Sequence, residues 1–215
     1  MSRQRTFLNR REAGRELAKA LKEYAGRKEV LVVALPRGGV PVGYEVAKAL
    51  QVALDVLVVR KLGLPGHEEL AMGAIGARGV RVMNPRVAAW ASAEAIEAAV
   101  AKEATEVERR EKEYRAGRGA IDVEGKTLIV VDDGFATGST MKTAVAVLRG
   151  CEAKMVVVAA PVGAASTCKD LEKVADKVVC LWRVEYLGAV GMWYVDFEQT
   201  TDVEVAIYLA QAQYS

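Results

Sequence analysis

The sequence predicts an α/β fold in which helices flank a parallel sheet. Five aliphatic runs lack polar alternation, which is typical of strands covered on both faces. Helix-like segments separate most of the runs, and this alternation indicates parallel strand pairing. The runs span residues 30–35, 56–59, 128–131, 155–159 and 178–181. The predicted helices span residues 11–24, 40–50, 93–115, 139–149, 164–174 and 203–211.

Length and composition agree with one folded domain over residues 1–215. A chain of this size can bury roughly 70% of its unfolded surface, and no Pro- or Gly-rich linker divides it. Apolar residues make up 52% and charged residues 27%, as in soluble globular proteins. No apolar run approaches the ~18 residues that a membrane span needs, and we recognise no signal peptide. Three cysteines without a Cys-x-x-Cys spacing favour a reduced, cytoplasmic setting.

The charge balance argues against a nucleic-acid partner. Lys and Arg total 30 against 28 acids, a formal net charge of +2, so any basic site must be local. One His and no thiolate cluster argue against zinc. Arginines near the start form either a basic arm or, as dispersed charges, solvated surface; they are Arg3, Arg5, Arg10 and Arg11.

An insertion at about residues 63–117 interrupts the alternation of strands and helices. It begins with the Gly- and Pro-containing stretch from Gly63 to Gly79, for which we predict a flexible loop or lid. Its second half is predicted to be a long helix. One stripe of that helix is apolar, and Glu and Arg residues spaced i and i+4 predict a solvated opposite face. The apolar stripe contains Ile96, Val100, Ala104, Val107 and Tyr114.

Residues 128–140 are the most informative stretch. Four apolar residues predict a buried strand that ends at Asp132 and Asp133, and a small, hydroxyl-rich loop then leads into a helix. A helix start presents unpaired N–H groups and a partial positive charge, which suits a phosphate. Gly134 and Gly138 allow a close backbone approach. The two acids can accept hydrogen bonds from sugar hydroxyls, or hold a cation through water.

This stretch resembles the phosphoribosyl diphosphate (PRPP) signature of the type I phosphoribosyltransferases. Both consist of four hydrophobics, two acids, two variable residues and Ala-Thr-Gly-x-Thr. Neither a P-loop ending in Gly-Lys-Ser/Thr nor a Gly-x-Gly-x-x-Gly loop is present. The resemblance implies that Asp132 and Asp133 bind the ribose and, through PRPP and water, a magnesium ion. It implies a 5'-phosphate site at Gly134, Phe135, Ala136, Thr137, Gly138, Ser139 and Thr140.

Two further loops fit this resemblance. Arg37, Gly38 and Gly39 follow the first run, and in a parallel sheet that loop can face the same crevice as residues 132–140. Such enzymes hold diphosphate with a loop at this place, often through a non-proline cis peptide. Arg60 and Lys61 follow the second run and are either solvated or bound to diphosphate. We predict that Arg37 and Lys61 are catalytic. His67, in the predicted loop, is either an exposed His or a group titrating near neutral pH.

The aromatic segment at about residues 182–200 has two interpretations. The simpler is core packing. The other, implied by the resemblance, is a hood that receives the acceptor, although this chain has Gly188 and Ala189 where several purine enzymes place a stacking aromatic. The candidate hood residues are Trp182, Tyr186, Val190 and Trp193.

The resemblance implies magnesium-dependent transfer of a phosphoribosyl group from PRPP to a nitrogenous base or similar nucleophile, by a homodimer. The stretch from residue 60 to 76 is most similar to a group of small, uncharacterised phosphoribosyltransferases. Ala136 stands where hypoxanthine and guanine enzymes commonly carry an Asp. This leaves adenine, a pyrimidine or an acceptor outside nucleotide salvage. The alternatives are a regulator that senses PRPP or a nucleotide, and a phosphorylase or hydrolase of a related ribose phosphate.

Overall fold

A computed structural model describes residues 5–76, 79–115 and 122–212. The strands in this part of the chain are β1 (Val30–Ala34), β2 (Ala53–Val56), β3 (Val59–Leu64), β4 (His67–Gly76), β5 (Arg81–Met83), β6 (Thr127–Val131), β7 (Met155–Ala164) and β8 (Lys177–Val184). The helices are α1 (Arg10–Ala20), α2 (Gly39–Leu50), α3 (Pro85–Ala88), α4 (Ala93–Arg115), α5 (Ser139–Gly150), α6 (Ala165–Leu171) and α7 (Asp202–Gln211).

The main sheet confirms the predicted fold class. Five parallel strands lie in the order β2-β1-β6-β7-β8. Every residue of β1 and β6 is buried, because helices cover both faces. On one face, Val32 and Ile129 pack with residues of α1 and α2. On the other, Val33 and Val130 pack with residues of α5 and α6. Burial on both faces explains why these strands have no polar alternation.

Each predicted helix is present, with boundaries that differ by a few residues. Asn9 caps α1 by accepting a hydrogen bond from the backbone N–H of Glu12. Thr201 and Glu204 form a capping box at α7. The helix predicted over residues 164–174 is shorter, because α6 ends at Leu171. Within the described residues, no helix has both the length and the apolar content that crossing a bilayer requires.

The structure corrects two predictions about the insertion. The second aliphatic run is not one strand of the main sheet: β2 pairs with β1 and ends at Val56, and β3 begins a separate sheet at Val59. The stretch predicted to be a flexible loop contains the end of β3 and all of β4, which form an antiparallel sheet with β5 just after it. Two of its glycines, Gly63 and Gly73, lie against neighbouring backbone. A Cβ on Gly63 would lie 2.7 Å from the carbonyl oxygen of Glu68, a contact that no other residue fits.

Apolar packing joins the insertion to the rest of the fold. Leu62, Met72 and Ile75 are buried with Val107 of α4, in a cluster that also includes Leu209 of α7. The predicted helix over residues 93–115 is confirmed as α4. Two of its charged pairs are present, Arg110 with Glu106 and Arg115 with Glu111. Residues 116–117, the predicted end of the insertion, lie outside the described residues.

Candidate active site

The candidate site lies at the carboxyl ends of β1 and β6. From these neighbouring strands the sheet extends to β2 on one side and to β7 and β8 on the other. Such a switch point opens a crevice in which ligands of α/β proteins bind. The loops of residues 36–39 and 132–140 both leave the sheet here. The Leu35 N–H just before the first loop donates to the Val131 carbonyl at 2.9 Å, and Gly38 lies against the carboxylate of Asp133 in the second loop. A Cβ on Gly39 would lie 2.6 Å from the Val131 carbonyl oxygen.

The loop after β1 places one cation and two glycines at the crevice. The peptide bond between Pro36 and Arg37 is cis. A Cβ on Gly38 would overlap the carboxylate of Asp133, so glycine is required for the loop to lie against β6. Arg37 is partly exposed, and its Nη1 lies 3.5 Å from Oδ2 of Asp202 at the start of α7. The loop therefore brings the backbone of Gly38 and Gly39 to the crevice, whereas the Arg37 guanidinium lies beside Asp202.

The loop after β6 surrounds a cavity of about 180 Å³ at the start of α5. Gly138 precedes that helix with a φ of 72°, a conformation that favours glycine. Thr167 of α6 holds the loop in place, because its hydroxyl donates to the Ala136 carbonyl at 2.5 Å. The buried Phe135 joins the loop to β7, because its N–H donates to the Val162 carbonyl at 2.9 Å. The cavity is lined by Asp132, Gly134, Phe135, Ala136, Thr137, Gly138, Ser139, Thr140 and Met141.

The two acids at the end of β6 have different surroundings. Asp132 lines the cavity of the loop, and its Oδ1 accepts the backbone N–H of Asp133 at 2.9 Å. Burial raises the pKa of Asp132 well above its usual range, and the charge of Asp133 raises that pKa further. Burial also raises the pKa of Asp133, although the charge of Arg10 opposes this shift. The raised pKa values reflect the cost of placing two negative charges side by side away from water.

Arg10 is a residue of this site that the sequence analysis missed. Its Nε donates to Oδ2 of Asp133 at 2.8 Å, and its Nη1 donates to the Glu198 carbonyl at 2.7 Å. Its guanidinium carbon lies 3.7 Å from the centroid of the Phe197 ring. With 9% of its surface exposed, Arg10 is not the solvated charge that we predicted. No local signal identifies it, because Asp133 is 123 positions away in the sequence.

The other arginines near the start differ from Arg10. Arg5 is exposed. Arg11 is half exposed and pairs with the buried Glu45 at 2.6 Å. Arg3 lies outside the described residues. No basic arm is therefore evident among the arginines that the structure describes.

Arg60 and Lys61 do not follow a strand of the main sheet, as predicted, but lie within β3. Nε of Arg60 is 2.7 Å from Oε2 of Glu103 on α4. Both cations line a second cavity, of about 840 Å³, between the insertion and the loop after β6. The structure therefore brings Lys61 to the side of the crevice formed by Pro36, Ser139 and Thr140. The remaining lining residues are Val59, Gly63, Pro65, Glu68, Ala95, Ala98, Ala99, Lys102, Glu103, Arg110 and Thr143.

Of the predicted hood residues, Val190 reaches the loop after β6. A Cβ on Gly134 would lie 2.6 Å from Cγ1 of Val190, so these residues are in close contact. Trp182 stacks on Phe7 with ring centroids 3.8 Å apart, and the indole N–H of Trp193 donates to the Leu187 carbonyl at 3.0 Å. Both tryptophans therefore take part in packing within the hood. Tyr186 is 94% exposed and is not among the residues that line the two cavities.

Comparisons with known proteins agree with this geometry. Residues 6–186 match the family model described as the phosphoribosyl transferase domain, so the chain belongs to that family. Two Mycobacterium tuberculosis proteins, from strains CDC 1551 and H37Rv, carry the provisional name of phosphoribosyl transferase. Each is 47% identical over 208 residues, which cover 96% of this chain and 47% of the relative. The chain thus spans about half the length of these curated relatives.

A solved structure also resembles this chain over nearly its whole length. The protein TT1426 from Thermus thermophilus superposes with a TM-score of 0.89 and 38% sequence identity. The match covers 96% of this chain and 98% of that one. The arrangement of both the main sheet and the insertion is therefore shared with a solved relative of similar length.

Proposed function

We propose that this chain transfers the phosphoribosyl group of PRPP to a nitrogenous base or similar nucleophile and releases diphosphate. One observation carries the proposal: the loops of residues 36–39 and 132–140 lie against each other, through Gly38 and Asp133, at the switch point of the sheet. One loop provides an anion cradle at a helix start, and the other provides a cation and close-lying amides. A ligand with a phosphate at one end and a diphosphate at the other matches this pair of loops.

In this proposal the 5'-phosphate occupies the cavity of residues 134–140. The 12-residue helix α5 begins there, so its first N–H groups and its dipole stabilise the anion. The acids at the end of β6 accept hydrogen bonds from the ribose hydroxyls. Arg37 and Lys61, with the amides of Gly38 and Gly39, bind the diphosphate. Arg60 has a secondary part in diphosphate binding, because Glu103 already holds its guanidinium.

The reaction breaks the bond between the anomeric carbon and a diphosphate oxygen, and a bond from the nucleophile to that carbon forms. Negative charge accumulates on the departing diphosphate, so the main requirement is electrostatic stabilisation of the leaving group. Arg37 and Lys61 supply it, and the loss of one such donor costs on the order of 3 kcal/mol. A base that reacts through an N–H nitrogen loses its proton. Ala136 provides no carboxylate to accept it, so the proposal favours acceptors that do not need a base at that position.

The residues fit a magnesium ion that is held mainly by its substrate. Among the described residues, no three His, Cys, Asp or Glu side chains form a metal-binding group. Asp132 lines the cavity beside the sugar position. Mg²⁺ commonly keeps several waters and binds one or two carboxylates together with substrate phosphates. Asp132 and Asp133 would hold the ion indirectly, through PRPP and water, and the ion would neutralise charge on the diphosphate when bound.

The hood supports acceptor binding through Val190, which reaches Gly134 beside the ribose position. We propose a small-molecule acceptor, a cytoplasmic location and a homodimer as parts of the same hypothesis. Trp182 and Trp193 shape the hood rather than stack directly on the acceptor, because Trp182 already stacks on Phe7 and the indole N–H of Trp193 already donates to the Leu187 carbonyl.

The test is incubation of this chain with PRPP, Mg²⁺ and a panel of purine, pyrimidine and other nitrogen nucleophiles while diphosphate release is followed. We expect release with at least one acceptor and none when PRPP is omitted. Tight PRPP binding without release from any acceptor would instead support a PRPP-sensing regulator. Failure to bind PRPP at all would contradict both functions.

A further inference from the structure

We propose that Cys168 and Cys180 form a thiol pair that peroxide oxidises to a disulfide, and that this disulfide weakens anion binding at the loop after β6. The pair lies outside the crevice, so its oxidation does not depend on the proposed transfer. Its effect on the loop is measured as PRPP affinity, and that part rests on the proposed function.

The two thiols meet beside Gly163 of β7. Cys168 lies in α6 and Cys180 lies in β8. A Cβ on Gly163 would lie 3.2 Å from the Sγ atom of each cysteine, so both sulfurs border the same small space. An ion pair of 2.6 Å from Arg183 to Glu172 also joins β8 to the end of α6. Both cysteines are free thiols, and a small movement of α6 toward β8 brings the sulfurs to the roughly 2 Å of a disulfide bond.

The two thiols differ in acidity. A hydrogen bond from Cys180 lowers the pKa of Cys168 to about 7, while burial opposes this shift and the charge of Arg183 supports it. The same hydrogen bond raises the pKa of Cys180 well above its usual range, and burial raises that pKa further. The thiolate is the form that reacts with an oxidant. Cys168 is therefore the nucleophile, and Cys180 is the second thiol, which completes the disulfide.

Hydrogen peroxide supplies the oxidising equivalents. The Cys168 thiolate attacks one peroxide oxygen, the O–O bond breaks and a sulfenic acid forms. The hydroxide that leaves takes up the proton that the thiol had lost, which gives one water. The Cys180 sulfur then displaces the sulfenic hydroxyl: the S–S bond forms, the S–O bond breaks, and the thiol proton leaves with the hydroxyl as a second water. Each sulfur loses one electron, and the peroxide gains both.

The position of the pair admits a small oxidant. β8 lies at one end of the five-stranded sheet, and Cys180 is partly exposed there. Cys168 is fully buried, so a bulky disulfide oxidant cannot reach its sulfur. We therefore assign the oxidation to peroxide.

The thiol pair adjoins the loop after β6 through two contacts. Thr167, next to Cys168 in α6, donates its hydroxyl to the Ala136 carbonyl at 2.5 Å. Phe135 of the loop lies against Gly163, since a Cβ on Gly163 would be 2.9 Å from Cβ of Phe135. A movement of α6 toward β8 shifts Thr167 relative to the carbonyl that it holds. Because an anion at a helix start needs backbone N–H groups in fixed positions, the disulfide lowers the affinity of the loop.

The first experiment tests whether the disulfide forms. Reduced protein is treated with hydrogen peroxide, and its thiols are titrated after unfolding. We expect the three thiols of the chain to fall to one, a dithiol reductant to restore all three, and non-reducing peptide maps to link Cys168 with Cys180. Cys151→Ser is the control and keeps the same link. Retention of all three thiols, or a disulfide that includes Cys151, would overturn the proposal.

The second experiment measures the effect on the loop by calorimetry with PRPP and no acceptor. We expect the dissociation constant to rise about tenfold on oxidation, as for the loss of a hydrogen bond that supports a charged group, and to recover on reduction. Cys180→Ser should match the reduced protein and should not respond to peroxide. Cys151→Ser should respond as the unsubstituted protein does. Equal PRPP affinity in the reduced and disulfide forms would contradict the coupling between the pair and the loop.

A failure of the proposed function is distinguishable from a failure of this proposal. If the reduced protein does not bind PRPP, the proposed function is wrong, and the thiol titration still tests the disulfide. Amide hydrogen exchange of residues 134–140 then reports on the loop directly. Faster exchange in the disulfide form supports the coupling, and equal exchange contradicts it. If Cys180→Ser does not fold, Cys180→Ala takes its place in both experiments.

Discussion

The crevice of the main sheet and the insertion beside it are held in place by different kinds of contact. In the crevice, glycine backbone lies against the neighbouring loop: Gly39 contacts the Val131 carbonyl, and Gly38 contacts the carboxylate of Asp133. In the insertion, side chains make the connections. Buried Met72 and Ile75 pack with α4 and α7, and an ion pair joins Arg60 to Glu103.

This difference indicates which amino-acid substitutions each region can accept. A Cβ on Gly38 or Gly39 would overlap its neighbour, so the crevice leaves little space for larger residues at these positions. Contacts between side chains can be altered one at a time. The cavity of about 840 Å³ lies between these two regions, so its shape depends on the insertion more than on the sheet.

The prediction with the largest expected effect tests whether the insertion shares a hydrophobic core with α4 and α7. Met72→Ala removes a fully buried side chain of β4, and we expect a loss of about 3 kcal/mol in the free energy of unfolding. Leu70→Ala, at a 39% exposed position of the same strand, is the control and should cost less than about 1 kcal/mol. Urea unfolding measures both. A single transition supports a shared core, and a separate early transition would show that the insertion unfolds independently.

A second prediction concerns Lys61, where the insertion meets the crevice. Lys61→Ala should lower kcat about 100-fold, because it removes a charge that stabilises the departing diphosphate. PRPP affinity should change less. Arg60→Gln is the control, since Glu103 already holds that guanidinium, and its kcat should fall by a smaller factor. Equal losses of kcat and PRPP affinity in Lys61→Ala would indicate anchoring rather than catalysis.

The same contrast explains how much could be predicted from the sequence. The strands β1 and β6 were predictable because both of their faces are buried, which leaves an aliphatic run without polar alternation. The helix α4 was predictable because one stripe of it is apolar. The strands of the insertion were missed, because glycines such as Gly63 resemble loop residues until the neighbouring strand is known. Arg10 was missed because its partner is distant in sequence. Local pattern predicts elements, whereas such pairs depend on the complete fold.

The third prediction concerns a hydrogen bond that joins the insertion to α7. The Tyr114 hydroxyl donates to Oδ1 of Asp202 at 2.6 Å, and Arg37 approaches Oδ2 of the same carboxylate. Tyr114→Phe should lower the free energy of unfolding by about 1 kcal/mol, as for the loss of one hydrogen bond. Tyr186→Phe, at a 94% exposed position, is the control and should have no measurable effect in urea unfolding. If Tyr114→Phe is as stable as the control variant, the hydrogen bond from Tyr114 to Asp202 does not stabilise the fold.

The smallest expected effect concerns the outer charges of α4, which lie apart from the apolar packing. Hydrogen bonds from Arg109 and Arg110 lower the pKa of Glu106 from 4.5 to about 2. A carboxylate with a lowered pKa stabilises the fold above its unfolded pKa, and this contribution is lost as the pH falls from 4.5 toward about 2.

Glu106→Gln should therefore lose less stability than the unsubstituted protein between pH 6 and pH 3, when urea unfolding is measured at each pH. Thr105→Ser, at an exposed position of the same helix without an ionisable group, is the control and should keep the original pH dependence. Added salt should reduce the difference, because solvent ions screen exposed pairs. If both variants show the same pH dependence, these arginines do not stabilise ionised Glu106.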